Sequence, residues 1–163
     1  MFKFIIKVVI LIILVMLAAM IGSDAKEDKH LSEAASLTEA MELARKYGIS
    51  YNLLEVESTS YAYVDKDGNI IANDYTKSGN DFLPGFSISV FPDQIPFGSI
   101  LYIEGYGWGI AADTGDAITW GRLDVSHYCE TDSKQWGIKF VKVLNFGTVF
   151  STDQIENLKK LKK

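Results

Sequence analysis

Cysteine is almost absent from this chain of 163 residues, because Cys129 is the only one. A single thiol excludes an internal disulfide and any cysteine-based zinc cluster. Histidine is scarce as well, with only His30 and His127 available as imidazole ligands. We therefore predict no metal site and no cofactor, and we expect hydrophobic packing to supply the stability of the fold.

Positive charge is also in short supply. The chain has 16 Lys and Arg residues against 21 Asp and Glu residues, which gives a net charge of −5 at pH 7. Binding to duplex nucleic acid depends on Lys and Arg at the phosphates, so no nucleic-acid partner is predicted. A chain of this length with 48% hydrophobic residues suits one globular domain plus an appendage. The oligomeric state is left open.

The amino terminus carries the one long hydrophobic run. Lys3 and Lys7 precede an uncharged stretch over residues 8–22 that is rich in Val, Ile, Leu, Met and Ala. This pattern is typical of a signal peptide or, if Lys7 reaches the interface, of a transmembrane anchor. We therefore assign residues 1–25 to a signal peptide or anchor. The mature protein is expected to be extracytoplasmic, either secreted or attached to the membrane through this segment.

Two further segments are predicted outside the main domain. Residues 26–50 form a helical or flexible spacer, with a capping box from Ser36 to Glu39. Residues 151–163 form a basic C-terminal helix or tail, because another capping pattern precedes four lysines.

Between these segments, residues 51–150 have the pattern of an all-β domain. Short runs rich in Val, Ile, Thr and Tyr alternate with turns that contain Gly, Asp and Pro. About seven strands with almost no helical pattern between them indicate a barrel or a sandwich. The predicted strands cover residues 53–64, 69–72, 86–91, 99–104, 108–112, 122–126 and 138–144.

Two aspartates lie beside apolar residues in predicted strands. Asp113 follows Ile110-Ala-Ala112, and Asp124 lies between Leu123 and Val125. An ionised carboxylate in apolar surroundings tends to raise its pKa and take up a proton. A protonated carboxyl is the state that a general acid needs, so the two residues are candidates for the cleavage of a glycan.

Eight motifs in order give the chain a resemblance to a known family. The motifs are Thr59-Ser-Tyr61, Thr76-Lys-Ser-Gly79, Ile88-Ser-Val90, Ile95-Pro-Phe-Gly98, Leu101-Tyr-Ile-Glu-Gly-Tyr-Gly107, Ala111-Ala-Asp-Thr-Gly115, Arg122-Leu-Asp124 and Trp136-Gly137. In this order they resemble the 3D domain, a family that is named for three aspartates. That family resembles the catalytic domain of MltA-type lytic transglycosylases and the stationary-phase muralytic proteins of Gram-positive bacteria.

The resemblance covers about residues 56–146 and implies a six- to seven-stranded double-psi β-barrel that acts on peptidoglycan. Asp124 matches the last family aspartate, the proposed catalytic acid and base, and Asp113 matches the middle one, which supports it. Phe91 stands where the family has its first aspartate, and Asp93 two residues later could supply a carboxylate from the same turn.

The implied reaction is a lytic cleavage of the bond between N-acetylmuramic acid and N-acetylglucosamine. One carboxyl can protonate the leaving oxygen and then take the proton from the C6 hydroxyl, which gives a 1,6-anhydro product without water. Glycan strands of peptidoglycan are thus the predicted partner. The candidate substrate-binding residues are Tyr61, Asp93, Trp108, Thr114, Gly115 and Trp120, and core packing remains an alternative for Trp108.

Two other functions stay open at this point. With Phe91 in place of an acid, the barrel could bind cell-wall glycan without cleaving it. In addition, Asp113-Thr-Gly115 is similar to the active-site loop of retroviral-type aspartic proteases, in which two copies bring paired aspartates together.

Overall fold

The computed structural model of the protein describes residues 36–46 and 48–148. The predicted signal peptide or anchor over residues 1–25 and the basic tail over residues 151–163 lie outside the described residues. No helix within the described stretches is long and apolar enough to cross a membrane. The boundaries of the predicted segments therefore stay predictions.

Six strands and two helices follow one another along the described chain. The strands close into a barrel in the order β1-β5-β2-β4-β3-β6, which confirms the all-β prediction. The pairs β1/β5 and β2/β4 are parallel, and the remaining neighbours are antiparallel. The elements are α1 Leu37–Lys46, β1 Asn52–Val64, β2 Ser87–Val90, β3 Ile100–Ile103, β4 Gly107–Asp113, β5 Arg122–Cys129, α2 Glu130–Trp136 and β6 Lys139–Asn145.

Two details differ from the predicted strand list. Residues 69–72 do not form a barrel strand, because only a single bridge joins Ile70 to Val64 before the chain turns away. The turn before this bridge is closed by the Asp65 side chain, which accepts N–H bonds from Asp67 and Asn69 at 2.8 and 2.9 Å. The second difference is helix α2, which the sequence pattern did not indicate.

The barrel interior is filled by alternate residues of every strand. All of them are at most 4% exposed, and they form one contiguous cluster. Because side chains alternate along a strand, the residues between them point to the outer face of the barrel. The interior strand residues are Val56, Ile88, Val90, Leu101, Ile103, Ala111, Leu123, Val125, Val141 and Val143.

One part of the outer face is covered by helix α1. The helix begins after Ser36, whose Oγ accepts the Glu39 N–H at 3.2 Å, as the predicted capping box requires. Its two buried residues, Ala40 and Ala44, belong to a second apolar cluster that includes Trp108. This cluster closes the outer face of β3, β4 and β6 against water.

A different part of the outer face lies under the connection between β1 and β2, residues 65–86. The connection reaches β4, where the Ser78 N–H donates to the Ala112 carbonyl at 3.0 Å. On its way back it crosses β5, where the Gly85 N–H donates to the Ser126 Oγ at 3.1 Å. The connection thus forms a roof over one end of this face.

Candidate functional site

The two predicted catalytic aspartates line the same pocket. It lies on the outer face between the barrel and the β1–β2 connection and has a volume of about 240 Å³. The barrel and the roof contribute to it about equally. Its lining residues are Tyr61, Ile71, Ala72, Asn73, Phe82, Ser89, Asp113 and Asp124.

The strand register explains how the two acids come together. Ser89 of β2 is paired with Asp113 of β4 on one side and with Asp124 of β5 on the other. Neighbouring strands are about 4.8 Å apart, so the two aspartate Cα atoms are separated by roughly two such spacings. Both carboxyls can therefore face a ligand placed over Ser89.

A bulge gives Asp113 its orientation. The pairing of β2 with β4 passes from Ile88–Ala111 to Ser89–Asp113 and so skips Ala112. Since one extra residue reverses the side on which later side chains emerge, Asp113 shares a face with Asp124 and not with interior Ala111. The irregularity in β4 is therefore needed to build the acidic pair.

Asp124 has the environment of a general acid. It lies between Leu123 and Val125, which are fully buried. Burial raises the pKa of the Asp124 carboxyl, although a hydrogen bond from Thr59 and the charge of Arg122 oppose this rise. The Thr59 Oγ1 donates to Oδ1 of Asp124 at 2.9 Å and fixes its position. The balance favours the protonated form at a higher pH than is usual for aspartate.

Asp113 is held by the backbone. Its Oδ1 accepts the N–H groups of Lys77 and Thr114, each at 2.9 Å. Lys77 belongs to the roof, so the same carboxyl anchors the β1–β2 connection to the end of β4. Two backbone donors fix the carboxyl in place, which is what a group that acts by its charge requires.

Tyr61 also lines the pocket, but part of its ring is covered. It lies 5.6 Å from the ring of Phe82, centroid to centroid. Burial raises the pKa of the Tyr61 hydroxyl, and the nearby charges of Asp113 and Asp124 add to this rise, so the hydroxyl keeps its proton. The Ser89 and Ser126 hydroxyls lie close enough to favour the ionised form, but no group in the described part of the chain has hydrogen-bond geometry to the Tyr61 Oη.

The other predicted substrate-binding residues are distributed over two places. Asp93, Gly115 and Trp120 are exposed and Thr114 is half-buried, and all four lie in the loops that follow β2 and β4, outside the pocket lining. Trp108 lies elsewhere. It is only 3% exposed, and its ring packs edge-on against Tyr102 with 5.0 Å between the centroids. Trp108 is therefore a core residue and does not line the pocket.

Several residues in the pocket or bonded to its acids had no predicted role. Thr59 and Ser89 are part of matched motifs, and the alternation along their strands could have placed them beside the acids. Asn73 and Phe82 belong to the long connection, whose path has no signal in the sequence. Within residues 36–46 and 48–148, no group of three or more His, Cys, Asp or Glu side chains is arranged to hold a metal ion.

Known proteins resemble this chain over part of its length. The cell wall-binding protein YocH of Bacillus subtilis (strain 168) is 42% identical over 96 residues, which is 56% of this chain and 33% of YocH. A provisionally named cell wall shaping protein of the same organism, YabE, is 46% identical over 56 residues, which is 34% of this chain and 14% of YabE. The chain thus spans about a third of YocH and about a seventh of YabE.

Solved structures of the lytic transglycosylase MltA from Escherichia coli also align with the chain. One has a TM-score of 0.38 at 16% identity and covers 46% of this chain and 28% of MltA. Another, with bound chitohexaose, has a TM-score of 0.37 at 15% identity. The family comparison matches residues 86–146 with the 3D domain. This match confirms the predicted resemblance to the 3D domain over the segment that holds both aspartates of the pocket.

Proposed function

We propose that this chain is a lytic transglycosylase-like enzyme that cleaves peptidoglycan glycan strands, on a barrel of double-psi connectivity. The observation that carries the proposal is the pairing of Asp113 and Asp124 across Ser89 in one pocket, with the pKa of Asp124 raised by burial. A carboxyl with a raised pKa beside a second, anchored carboxyl is an arrangement suited to glycosidic cleavage.

In the proposed reaction, Asp124 donates its proton to the glycosidic oxygen that leaves from C1 of N-acetylmuramic acid. As that bond breaks, the C6 hydroxyl of the same sugar attacks C1, and the Asp124 carboxylate takes the hydroxyl proton. The products are a 1,6-anhydro sugar and a free hydroxyl on N-acetylglucosamine. The Asp124 carboxyl returns to its starting state, and no water is consumed.

Asp113 contributes by charge and not by proton transfer. Positive charge develops on the sugar ring as the bond to the leaving oxygen breaks, and a fixed carboxylate nearby stabilises it. The two backbone N–H donors of Lys77 and Thr114 hold this carboxyl so that it does not need to reorganise during the reaction.

The size of the pocket fits one sugar ring of a longer chain. Its volume of about 240 Å³ is below the roughly 300–1,000 Å³ of sites that enclose a drug-sized ligand. The rest of a glycan strand would therefore lie along the open surface. The similarity to YocH, a cell wall-binding protein, supports cell-wall glycan as the partner and an extracytoplasmic location. Anchoring or export through residues 1–25 is part of this proposal.

A second candidate is a cell-wall glycan-binding protein without turnover. The name of YocH and the presence of Phe91 at the first family aspartate position favour this alternative. It uses the same pocket, so the two candidates differ only in whether Asp124 transfers a proton.

The test is to incubate the full chain with purified peptidoglycan and to search the soluble fraction by mass spectrometry for 1,6-anhydromuropeptides. We expect anhydro products with the wild-type chain and none with Asp124→Asn. Binding to the peptidoglycan pellet without any anhydro product would establish the non-catalytic alternative. Equal product from the Asp124→Asn variant would show that another group is the acid.

A further inference from the structure

An aromatic pair lies next to the pocket on the same face of the barrel. Val90 of β2 is paired with Leu123 of β5, so the next outward positions on the two strands are Phe91 and Arg122. These positions are two residues from Ser89 and Asp124, or roughly 7 Å along the strands. Trp120 lies two residues before Arg122, and its ring meets Phe91 edge-on at 6.5 Å.

The pair lies where a bound glycan would have to continue. At the other end of the pocket, the roof covers the outer face, and Ser126 beneath it is fully buried. Among the described residues the Phe91 side carries no such cover, and Trp120 is 69% exposed. A tryptophan ring left in water keeps a large apolar surface available for contact, and its flat face suits the apolar C–H face of a sugar.

The backbone on both sides of the pair is fixed by one residue. The Gln94 N–H donates to the Phe91 carbonyl at 3.0 Å, which closes the turn after β2. The Gln94 Oε1 accepts the Gly121 N–H at 2.7 Å, which ties the loop before β5 to the same turn. Gly121 has a φ of 80°, a conformation that favours glycine. The two aromatic residues are thus held in place before any ligand binds.

We propose that Phe91 and Trp120 form a stacking subsite for the sugar that adjoins the ring held between Asp113 and Asp124. This inference rests on the proposed function, because it takes cell-wall glycan as the ligand. In this chain an apolar contact replaces the acid that the family resemblance expects at position 91. The subsite therefore adds affinity for the glycan strand and takes no part in proton transfer.

The test measures binding in the Asp124→Asn background, where turnover is not expected. The ligand is a soluble tetrasaccharide of alternating N-acetylglucosamine and N-acetylmuramic acid, and the signal is the tryptophan fluorescence of the full chain. We expect Trp120→Ala and Phe91→Ala each to raise Kd by roughly 2- to 12-fold. Binding to Phe91→Ala is measured by the fluorescence change of Trp120, and binding to Trp120→Ala is measured by calorimetry. The matched control is Phe140→Ala, because Phe140 is also 69% exposed but lies on β6.

A second variant separates stacking from acid chemistry. Phe91→Asp restores the expected acid, and we expect it to weaken binding and to leave kcat no higher than in the wild-type chain. A rise in kcat with unchanged affinity would overturn the subsite, since position 91 would then act through its charge.

The outcomes keep the subsite and the proposed function distinguishable. If the wild-type chain forms anhydro products while KM and Kd are unchanged in Trp120→Ala and Phe91→Ala, the subsite is wrong and the enzyme stands. If no product forms but both variants bind the tetrasaccharide more weakly, the proposed catalytic function is wrong and the subsite stands. If the tetrasaccharide neither binds nor is cleaved, both are overturned.

Discussion

Two regions of the outer barrel face differ in what covers them. Over β3, β4 and β6, helix α1 packs Ala40 and Ala44 into a buried cluster with Trp108, which leaves no room for a ligand. Over β5, β2 and the end of β4, Ser89 and the two aspartates face a pocket under the β1–β2 connection. The interior behind both regions is equally apolar. The same scaffold therefore closes one region by packing and keeps an acid-lined pocket in the other.

The largest effect on activity is expected from replacing Asp124, the proposed acid of the pocket. Asp124→Asn keeps an oxygen that can accept the Thr59 hydrogen bond but cannot donate a carboxylic proton. We expect anhydro product formation to fall by up to about 10⁴-fold, the upper range for the loss of a general acid. The assay is product quantification by mass spectrometry, with Asp132→Asn on helix α2 as the control for the loss of one exposed acid. A fall below tenfold would contradict the proposed role.

A substitution in the packed cluster under α1 should instead lower the free energy of unfolding. Trp108→Ala removes a side chain that is 3% exposed, and we expect the free energy of unfolding to drop by about 3–5 kcal/mol. Urea denaturation measures this change. Trp120→Ala removes the same side chain from an exposed position and should change stability by only about 0.5 kcal/mol. Similar losses of stability in the two variants would mean that the region under α1 is no more tightly packed than the surface around Trp120.

Asp113 combines a structural role, as the anchor of the roof, with the proposed electrostatic role. Asp113→Asn keeps an Oδ1 that can accept the Lys77 and Thr114 N–H groups but removes the charge. We expect kcat to fall on the order of 10²-fold with little change in stability. Asp113→Ala should lower both, because the roof then loses its anchor. A variant pair with equal stability and equal kcat would argue against the anchoring role.

The smallest effect concerns pH and stability. The pKa of Asp124 is raised in the folded protein, so its contribution to stability is fully present below the unfolded value of about 3.9. That contribution is lost as the pH rises through the folded pKa. Asn cannot titrate, so Asp124→Asn should gain stability relative to the wild-type chain between pH 3 and pH 7. Thermal unfolding at several pH values checks this, and a relative loss over that interval would contradict the sign.

The sequence predicted the barrel and the two acids, but it could not predict how they meet. Leu123 and Val125 alternate regularly around Asp124, so its outward position follows from the pattern. Strict alternation would have turned Asp113 inward beside Ala111, and only the bulge at Ala112 reverses it. A bulge has no distinct residue signature here, because it depends on which neighbouring residues of β2 pair with β4.

The aromatic residues show the same limit. Trp108 and Trp120 each adjoin a glycine in the sequence, yet one is buried and the other exposed. The difference arises from the position of α1 and from the turn held by Gln94, which are tertiary contacts between distant segments. Local pattern cannot predict contacts of this kind.

The proposed role of Asp124 as the general acid is tested most directly by titrating its carboxyl in the folded chain. NMR of the side-chain carbon monitors the titration, and its midpoint is compared with the pH dependence of kcat/KM. A general acid must be protonated to act, so the alkaline fall of kcat/KM should coincide with the Asp124 titration. We expect both midpoints to lie above the ordinary aspartate pKa of about 3.9, because burial raises the pKa of Asp124. A carboxyl that titrates at or below this value, or an activity that persists well above the Asp124 midpoint, would contradict it.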